Sequence, residues 1–106
     1  MAARVRSVAW AVSAQAALDE VITYISQDSP ETAAHVLEQV LETGATLATF
    51  AERGRIVPES NDPTIREVFV FRYRLMYEVH DDRVVIVAFL HGAREFTALR
   101  RTLTEQ

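Results

Sequence analysis

Seven consecutive apolar residues, 84–90 (VVIVAFL), constrain the fold of this chain more than any other feature. Valine, isoleucine and phenylalanine favour extended backbone, and a run that is apolar at both alternating sets of positions is typical of a buried strand. The run is far shorter than the ~20 residues that cross a bilayer, so it predicts a strand inside a globular protein. It ends abruptly in HGARE, residues 91–95, which predicts a turn at the edge of a sheet.

Two amphipathic helices are predicted in the first half of the chain. Apolar residues recur at helical spacing after Ser13, a predicted N-cap, and this helix should end near Asp28 because Pro30 disfavours helical geometry in the residue before it. A second helix is predicted to start with Ser29 as N-cap and Pro30 at its first position, and to run to about Phe50, with Gly54 ending it. Its predicted buried stripe consists of Ala33, Leu37, Val40, Leu41, Gly44, Leu47 and Ala48. The short joint predicts an antiparallel helical hairpin.

Strand patterns flank the hairpin on both sides. The predicted strands are residues 5–12, 65–71, 73–80 and Arg83–His91, with a tight turn at Asp81 and Asp82 and a loop over residues 55–63. Phe96, Leu99 and Leu103 have the spacing of a short C-terminal helix.

The predicted order is therefore β-α-α-β-β-β, an α+β fold in which a helical hairpin packs on one face of a largely antiparallel sheet. Its 106 residues are close to the commonest domain size, so one domain is expected over residues 1–106. The other face of the sheet should be open in part, and we expect function there.

Charge is distributed unevenly along the sequence. All 11 basic residues are arginine, and the formal net charge is −4. Residues 13–52 contain seven acids and no arginine, whereas the part from Arg66 onward contains seven arginines and six acids. Acidic helices repel phosphate, so an anion site is expected in the second half of the chain, and general or sequence-specific binding of nucleic acid is not expected.

Three arginines are the first candidates for a functional site. Arg72 and Arg74 flank a predicted strand junction and Arg94 follows the last strand, so the three could converge on one edge of the sheet. Guanidinium groups bind carboxylate or phosphate in bidentate fashion. The alternative is that each arginine pairs with an acid of this chain. The pairs considered are Arg66 with Glu59, Arg74 with Glu78, and Arg94 with Glu95 or an acid of the helices.

His91 is the candidate proton-transfer residue, because histidine has the only unperturbed side-chain pKa near neutrality. The alternative is a hydrogen-bonded residue that closes the strand, followed by a sharp turn at Gly92. The sequence has no cysteine, no metal-ligand spacing among its histidines and no phosphate-binding glycine loop, so neither a metal nor a cofactor is expected.

Several motifs together resemble the ParE/RelE toxins of type II toxin–antitoxin systems, over about residues 8–96. The motifs are GR…PE (Gly54, Arg55, Pro58 and Glu59), IRE (residues 65–67), RYRLMY (residues 72–77) and HGARE (residues 91–95). The resemblance implies a cytoplasmic toxin without a membrane segment and a cognate antitoxin, ParD-like or related, that forms a hetero-oligomer with it. The partner-binding candidates are then Arg72, Arg74, Arg94 and Phe96.

The resemblance leaves two activities open. RelE-like members are metal-independent, ribosome-dependent endoribonucleases, and Arg74, His91 and Arg94 would be the catalytic residues. ParE-like members inhibit DNA gyrase and are not enzymes. The HGARE ending, the acidic helices, the net charge of −4, and the absence of lysine and of a tyrosine after Arg94 favour the ParE branch. A third possibility is a degenerate toxin that only binds its antitoxin.

Overall fold

A computed structural model describes residues 5–92 and has the predicted order of elements with one additional strand. The elements are β1 (Ser7–Trp10), α1 (Val12–Asp28), α2 (Pro30–Thr46), a 3-10 turn (Ala51–Arg53), β2 (Arg55–Ile56), β3 (Ile65–Val70), β4 (Tyr73–Val79) and β5 (Arg83–His91). The predicted C-terminal helix with Phe96, Leu99 and Leu103 lies outside the described residues.

The five strands form one sheet in the order β1-β5-β4-β3-β2. β1 runs parallel to β5, with Ser7 opposite Arg83, and the other pairs are antiparallel. The apolar run therefore forms an internal strand between β1 and β4, as its composition predicted. β2 lies in a segment that was predicted to be a loop, because two residues are too few to show a strand periodicity.

The start of α1 differs from the prediction. Ala11 is the N-cap and Ser13 lies inside the first turn, because the Ala11 N–H still donates to the Ile86 carbonyl at 2.8 Å and carries the β1–β5 pairing up to the helix. The predicted cap of α2 is confirmed, since the Ser29 hydroxyl accepts a hydrogen bond from the Thr32 N–H at 3.1 Å.

The buried side of α2 was predicted in part. Ala33, Val40 and Gly44 are buried as expected, but the prediction missed Val36 and placed Leu41, which is 48% exposed, in the core. α2 also ends at Thr46, earlier than the predicted Phe50. The position of the sheet decides which side of α2 is buried. The helical periodicity of the sequence does not specify that position.

Apolar cores form on both faces of the sheet. The core between helices and sheet includes Leu18, Val40, Leu75, Tyr77, Ile86 and Phe89. A smaller core on the other face contains Val57, Met76, Ala88 and Leu90. A bulge changes which residues of β5 face each side: Met76 pairs with Ala88 but Tyr77 pairs with Ile86, which leaves Val87 as an extra residue on β5. The other face is thus covered in part by the chain that follows β2.

Gly54 connects the 3-10 turn to β2 at a point of close backbone approach. A Cβ atom there would lie 2.6 Å from the Tyr77 hydroxyl and would also collide with the Glu67 carbonyl. The Tyr77 hydroxyl accepts a hydrogen bond from the Gly54 N–H at 3.0 Å and donates one to the Ala51 carbonyl at 2.8 Å. Gly54 is therefore required for packing, not for ending α2 as its sequence position predicted.

We expect Gly54→Ala to lower the free energy of unfolding by about 3 kcal/mol, because the new methyl group would displace backbone. Gly44→Ala is the matched control. Its Cβ would lie 3.2 Å from the end of the Ile86 side chain and 3.6 Å from the Trp10 ring, an ordinary contact, and the gain of ~1 kcal/mol in helix propensity offsets the crowding. Urea unfolding of both variants measures the difference, and equal losses would contradict this role for Gly54.

Candidate functional site

The structure places the candidate site residues at separate locations. Arg72 is exposed in the turn between β3 and β4. Arg74 is only 2% exposed and pairs with Leu90, a member of the core on the face away from the helices. Arg94 and Phe96 lie outside the described residues.

Arg74 belongs to an ion-pair cluster of four residues, which we call the Arg74 cluster: Arg55, Glu59, Glu67 and Arg74. The Arg74 guanidinium donates from Nε to Glu67 Oε1 at 2.7 Å and from its two terminal nitrogens to Glu59 at 3.2 and 3.3 Å. Arg55 Nε donates to the second oxygen of Glu67 at 2.5 Å. Glu67 is 1% exposed, so two buried charges of opposite sign neutralise one another inside the sheet.

The electrostatics of the cluster favour the charged forms of Arg74 and Glu59. Burial by itself lowers the pKa of Arg74, but the hydrogen bonds to Glu59 and Glu67 outweigh it, so the pKa lies above its ordinary value. The hydrogen bonds from Arg74 hold the pKa of Glu59 below its ordinary value of 4.5, against the smaller opposing effect of burial. Because Arg74 is buried and bonded to two carboxylates, its charge is not available to a partner at the surface.

The acids that pair with these arginines differ from those predicted. Glu78 contacts His80 at 3.0 Å instead of Arg74, because residues four apart on a strand are separated by roughly 13 Å. Arg74 instead faces β3, where its direct partner is Phe69 and Glu67 lies diagonally across. Arg66 was expected to pair with Glu59, but it donates to the Gly54 carbonyl at 2.7 Å.

Arg72 and His91 come together at a shallow hollow on the helical side. The lining residues are Glu20, Val21, Tyr24, Ile25, Arg72, Tyr73 and His91, from α1, the β3–β4 turn and the ends of β4 and β5. Tyr73 forms the floor, since its ring stacks on Phe89 at 5.0 Å and meets the edge of His91 at 5.3 Å. Aromatic side chains beside an arginine are the composition that protein interfaces favour.

Gly92, the last described residue, lies in a turn at the end of β5, as predicted for this position. Gly92 has a φ of +66°, which glycine adopts without strain, and its N–H donates to the Arg72 carbonyl at 2.9 Å. This bond ties the end of β5 to the β3–β4 turn and holds His91 beside Arg72.

His91 and Arg74 project from opposite faces of the sheet. His91 packs on Tyr73, which contacts the core beneath the helices, whereas Arg74 lies in the other face. A general acid or base must lie within hydrogen-bond reach of the group that the cation stabilises. The described residues therefore do not combine Arg74 and His91 in one constellation.

Sequence reasoning missed Glu59, Glu67 and Tyr24 as site residues. The sequence carries a weak signal for Glu67. It lies between Ile65 and Phe69 in the alternating set of one strand face, so a charged residue takes an otherwise apolar position. No local signal reveals that Tyr24 is 73% exposed at the rim of the hollow. Among residues 5–92, no group of histidine and acidic side chains could hold a metal ion, and no helix is long and apolar enough to cross a membrane.

The described residues thus form a small α+β protein with a buried ion-pair cluster on one face of its sheet and an aromatic hollow on the helical side. The family model described as the ParE toxin of type II toxin–antitoxin system, parDE, matches residues 8–96. The chain belongs to this ParE toxin family.

A solved structure, "Chromosomal ParDE TA system from P. aeruginosa", contains a chain of similar fold. The TM-score is 0.69 at 22% sequence identity, with 84% of this chain and 98% of that chain covered. A search of curated proteins finds no match.

Arg74→Met should lower the free energy of unfolding by about 3–5 kcal/mol, because Glu67 would stay buried without its main counter-charge. Arg72→Ala, at an exposed position, should change it by less than about 0.5 kcal/mol. The double variant Arg74→Met/Glu67→Leu should recover most of the loss, since it removes both buried charges. Urea unfolding tests all three, and a double variant no more stable than Arg74→Met would contradict the pairing.

The lowered pKa of Glu59 predicts a loss of stability in acid. Its contribution is fully present above the ordinary pKa of 4.5 and disappears as the pH falls through the lower pKa of the folded state. Glu59→Gln should therefore cost up to about 1 kcal/mol at neutral pH, a small value because Glu59 is partly exposed. The difference between the variant and the wild type should shrink as the pH falls through the lowered pKa of Glu59.

Urea unfolding over a pH series measures this difference. Glu38→Gln, on the exposed side of α2, is the matched control. A constant difference between Glu59→Gln and the wild type at all pH values would contradict a role for the Glu59 charge.

Proposed function

We propose that this ParE-family protein is a toxin that inhibits DNA gyrase by stabilising its cleaved complex with DNA, and that a cognate antitoxin neutralises it. The observation that carries the proposal is the family match over residues 8–96. Gyrase inhibition requires contact surfaces and no catalytic centre of the protein's own.

The geometry supports an inhibitor over a RelE-like ribonuclease. Ribonuclease chemistry would need Arg74, His91 and Arg94 around one phosphate. Arg74 instead binds two carboxylates, and His91 lies on the other face of the sheet. The acidic helices and the net charge of −4 also oppose docking on ribosomal RNA.

The antitoxin proposal has its own support. The solved relative is described as a ParDE toxin–antitoxin system, and a ParD-like partner is the corresponding proposal for this chain. Among the partner-binding candidates, Arg72 is best placed for direct contact, because it is exposed beside Tyr24 and His91. Arg74 would act indirectly, by holding the sheet together. Arg94 and Phe96 stay candidates outside the described residues.

Supercoiling by purified gyrase tests the proposal. Protein freed of antitoxin and shown by circular dichroism to be folded should block supercoiling and cause linear cleaved DNA to accumulate. Translation of a reporter messenger RNA in a purified system is assayed in parallel and should continue.

Two results would overturn the proposal. Unaffected gyrase with cleavage of ribosome-bound messenger RNA would favour the ribonuclease. Arg74→Ala, His91→Ala and Arg94→Ala would then be assayed for loss of cleavage, after circular dichroism has shown each variant to be folded. No effect in either assay, from folded protein, would favour a degenerate module that only binds its antitoxin.

A further inference from the structure

The hollow at the ends of β4 and β5 continues as a shallow groove along α1. The lining residues of this continuation all belong to α1 and are Ala16, Asp19, Glu20, Thr23, Tyr24 and Gln27. Glu20 and Tyr24 line the hollow as well, so the two form one continuous depression. Between Ala16 and Gln27, α1 rises about 16 Å, which is the length of a short helix. We call the hollow and its continuation together the α1 groove.

The α1 groove exposes apolar surface. Val21, Ile25 and Tyr73 are half-buried where they line it, and Tyr24 between them is 73% exposed. Residues 5–92 therefore leave this side of α1 largely uncovered. Apolar side chains that adjoin one another gain free energy when another element buries them.

The charge of the α1 groove is mostly negative. Asp19 and Glu20 lie in it side by side, and α1 contains no basic residue. Within residues 5–92, no cation forms an ion pair with either acid. An element that covers the groove is therefore expected to carry positive charge as well as apolar side chains.

The last strand ends beside the α1 groove. His91, the final residue of β5, lines the hollow, and the Gly92 N–H donates to the Arg72 carbonyl at 2.9 Å. Residues 93–106 follow and lie outside the described part of the chain. Because one residue spans at most about 3.6 Å, Phe96 lies within about 14 Å of Gly92. Phe96 can therefore reach the hollow without any rearrangement of β5.

Residues 93–106 have the composition that the α1 groove requires. Three of their apolar residues recur at the spacing of one helical face: Phe96, Leu99 and Leu103. Arg100 lies one turn after Phe96, at the margin of that face. The segment contains three arginines and two acids, so its net charge is opposite to that of the groove.

The spacings of the two surfaces also agree. Along a helix, Arg100 lies about 6 Å from Phe96, and Glu20 lies about 6 Å from Tyr24 on α1. When Phe96 of an antiparallel helix occupies the hollow beside Tyr24, Arg100 is therefore level with Glu20. Leu103, about 11 Å from Phe96, is then level with the start of the groove.

We propose that residues 95–103 form a helix that packs antiparallel to α1 in the α1 groove. Phe96 fills the hollow, and Arg100 lies beside Asp19 and Glu20. The occupant is thus a segment of this same chain, and no other molecule is needed to bury the apolar surface. The inference goes beyond the proposed function and does not rest on it.

The inference changes the role of one residue that was predicted to bind a partner. Phe96 becomes an internal contact of the folded chain. Arg94 lies within about 7 Å of Gly92 and so stays at the same end of the sheet as Arg72. Of the two candidates after β5, Arg94 alone is then left for a partner.

Fluorine NMR of the full chain labelled with 3-fluorotyrosine tests the packing. The chain has three tyrosines, and two of them, Tyr24 and Tyr73, line the hollow. The third, Tyr77, is buried in the core and bonded to Gly54, so its signal reports on the fold. Phe96→Ala should shift the Tyr24 and Tyr73 signals, because it removes the ring that packs on them, and should leave the Tyr77 signal in place.

Matched variants separate packing and charge. Phe50→Ala removes a 64% exposed ring that follows the end of α2 and should shift neither hollow signal. Asp19→Arg repels Arg100 and should move the Tyr73 signal toward its position in Phe96→Ala, although Asp19 does not line the hollow. Glu38→Arg, on the exposed side of α2, is the control for this charge reversal and should leave the Tyr73 signal unchanged.

Three results would overturn the inference. The first is that Phe96→Ala leaves the Tyr24 and Tyr73 signals unchanged in folded protein. The second is that it shifts the Tyr77 signal as strongly, which would make Phe96 a residue of the main core. The third is that the hollow signals change on dilution together with dissociation of a dimer in sedimentation, which would assign the groove to a second copy. None of these results bears on gyrase inhibition.

Discussion

The pairing of Arg74 with Glu67 is the interaction on which the rest of the sheet depends. Both side chains lie inside the protein, where an isolated charge costs several kcal/mol, so neither can be buried without the other. Their contact requires β3 and β4 to pair with Phe69 opposite Arg74. Arg55 then attaches β2 to the pair, and Glu59 attaches the following loop. Four segments within residues 55–74 are thereby held together.

This arrangement also decides which parts of the molecule can act on partners. An arginine with two carboxylate partners has little free energy to gain from a third anion. The cations and aromatic groups that stay accessible lie at the rim of the sheet. Arg72, Tyr24 and His91 surround the hollow beside α1, while Arg55 and Phe69 lie together at the outer edge of β3.

The two rims differ in charge and in geometry. The helical side carries acids without arginine over residues 13–52, and its hollow can receive a side chain. The outer edge of β3 is closer to electrical balance, because its exposed Arg55 is paired with the buried Glu67. It exposes apolar surface at Phe69.

The sequence by itself determined the elements whose signals are local. The apolar run specified an internal strand, Ser29 and Pro30 specified the start of α2, and Gly92 specified the turn after β5. Each depends on residue type and near neighbours, through side-chain sterics, capping or allowed φ values. The family resemblance rested on the same local motifs.

Only the tertiary structure decided the strand β2, the buried face of α2, and the partners of Arg74. These depend on which strands meet and in which register, and a one-residue change of register reverses every side chain. For that reason Arg74, an apparent surface cation in the sequence, is an internal structural residue of the folded protein.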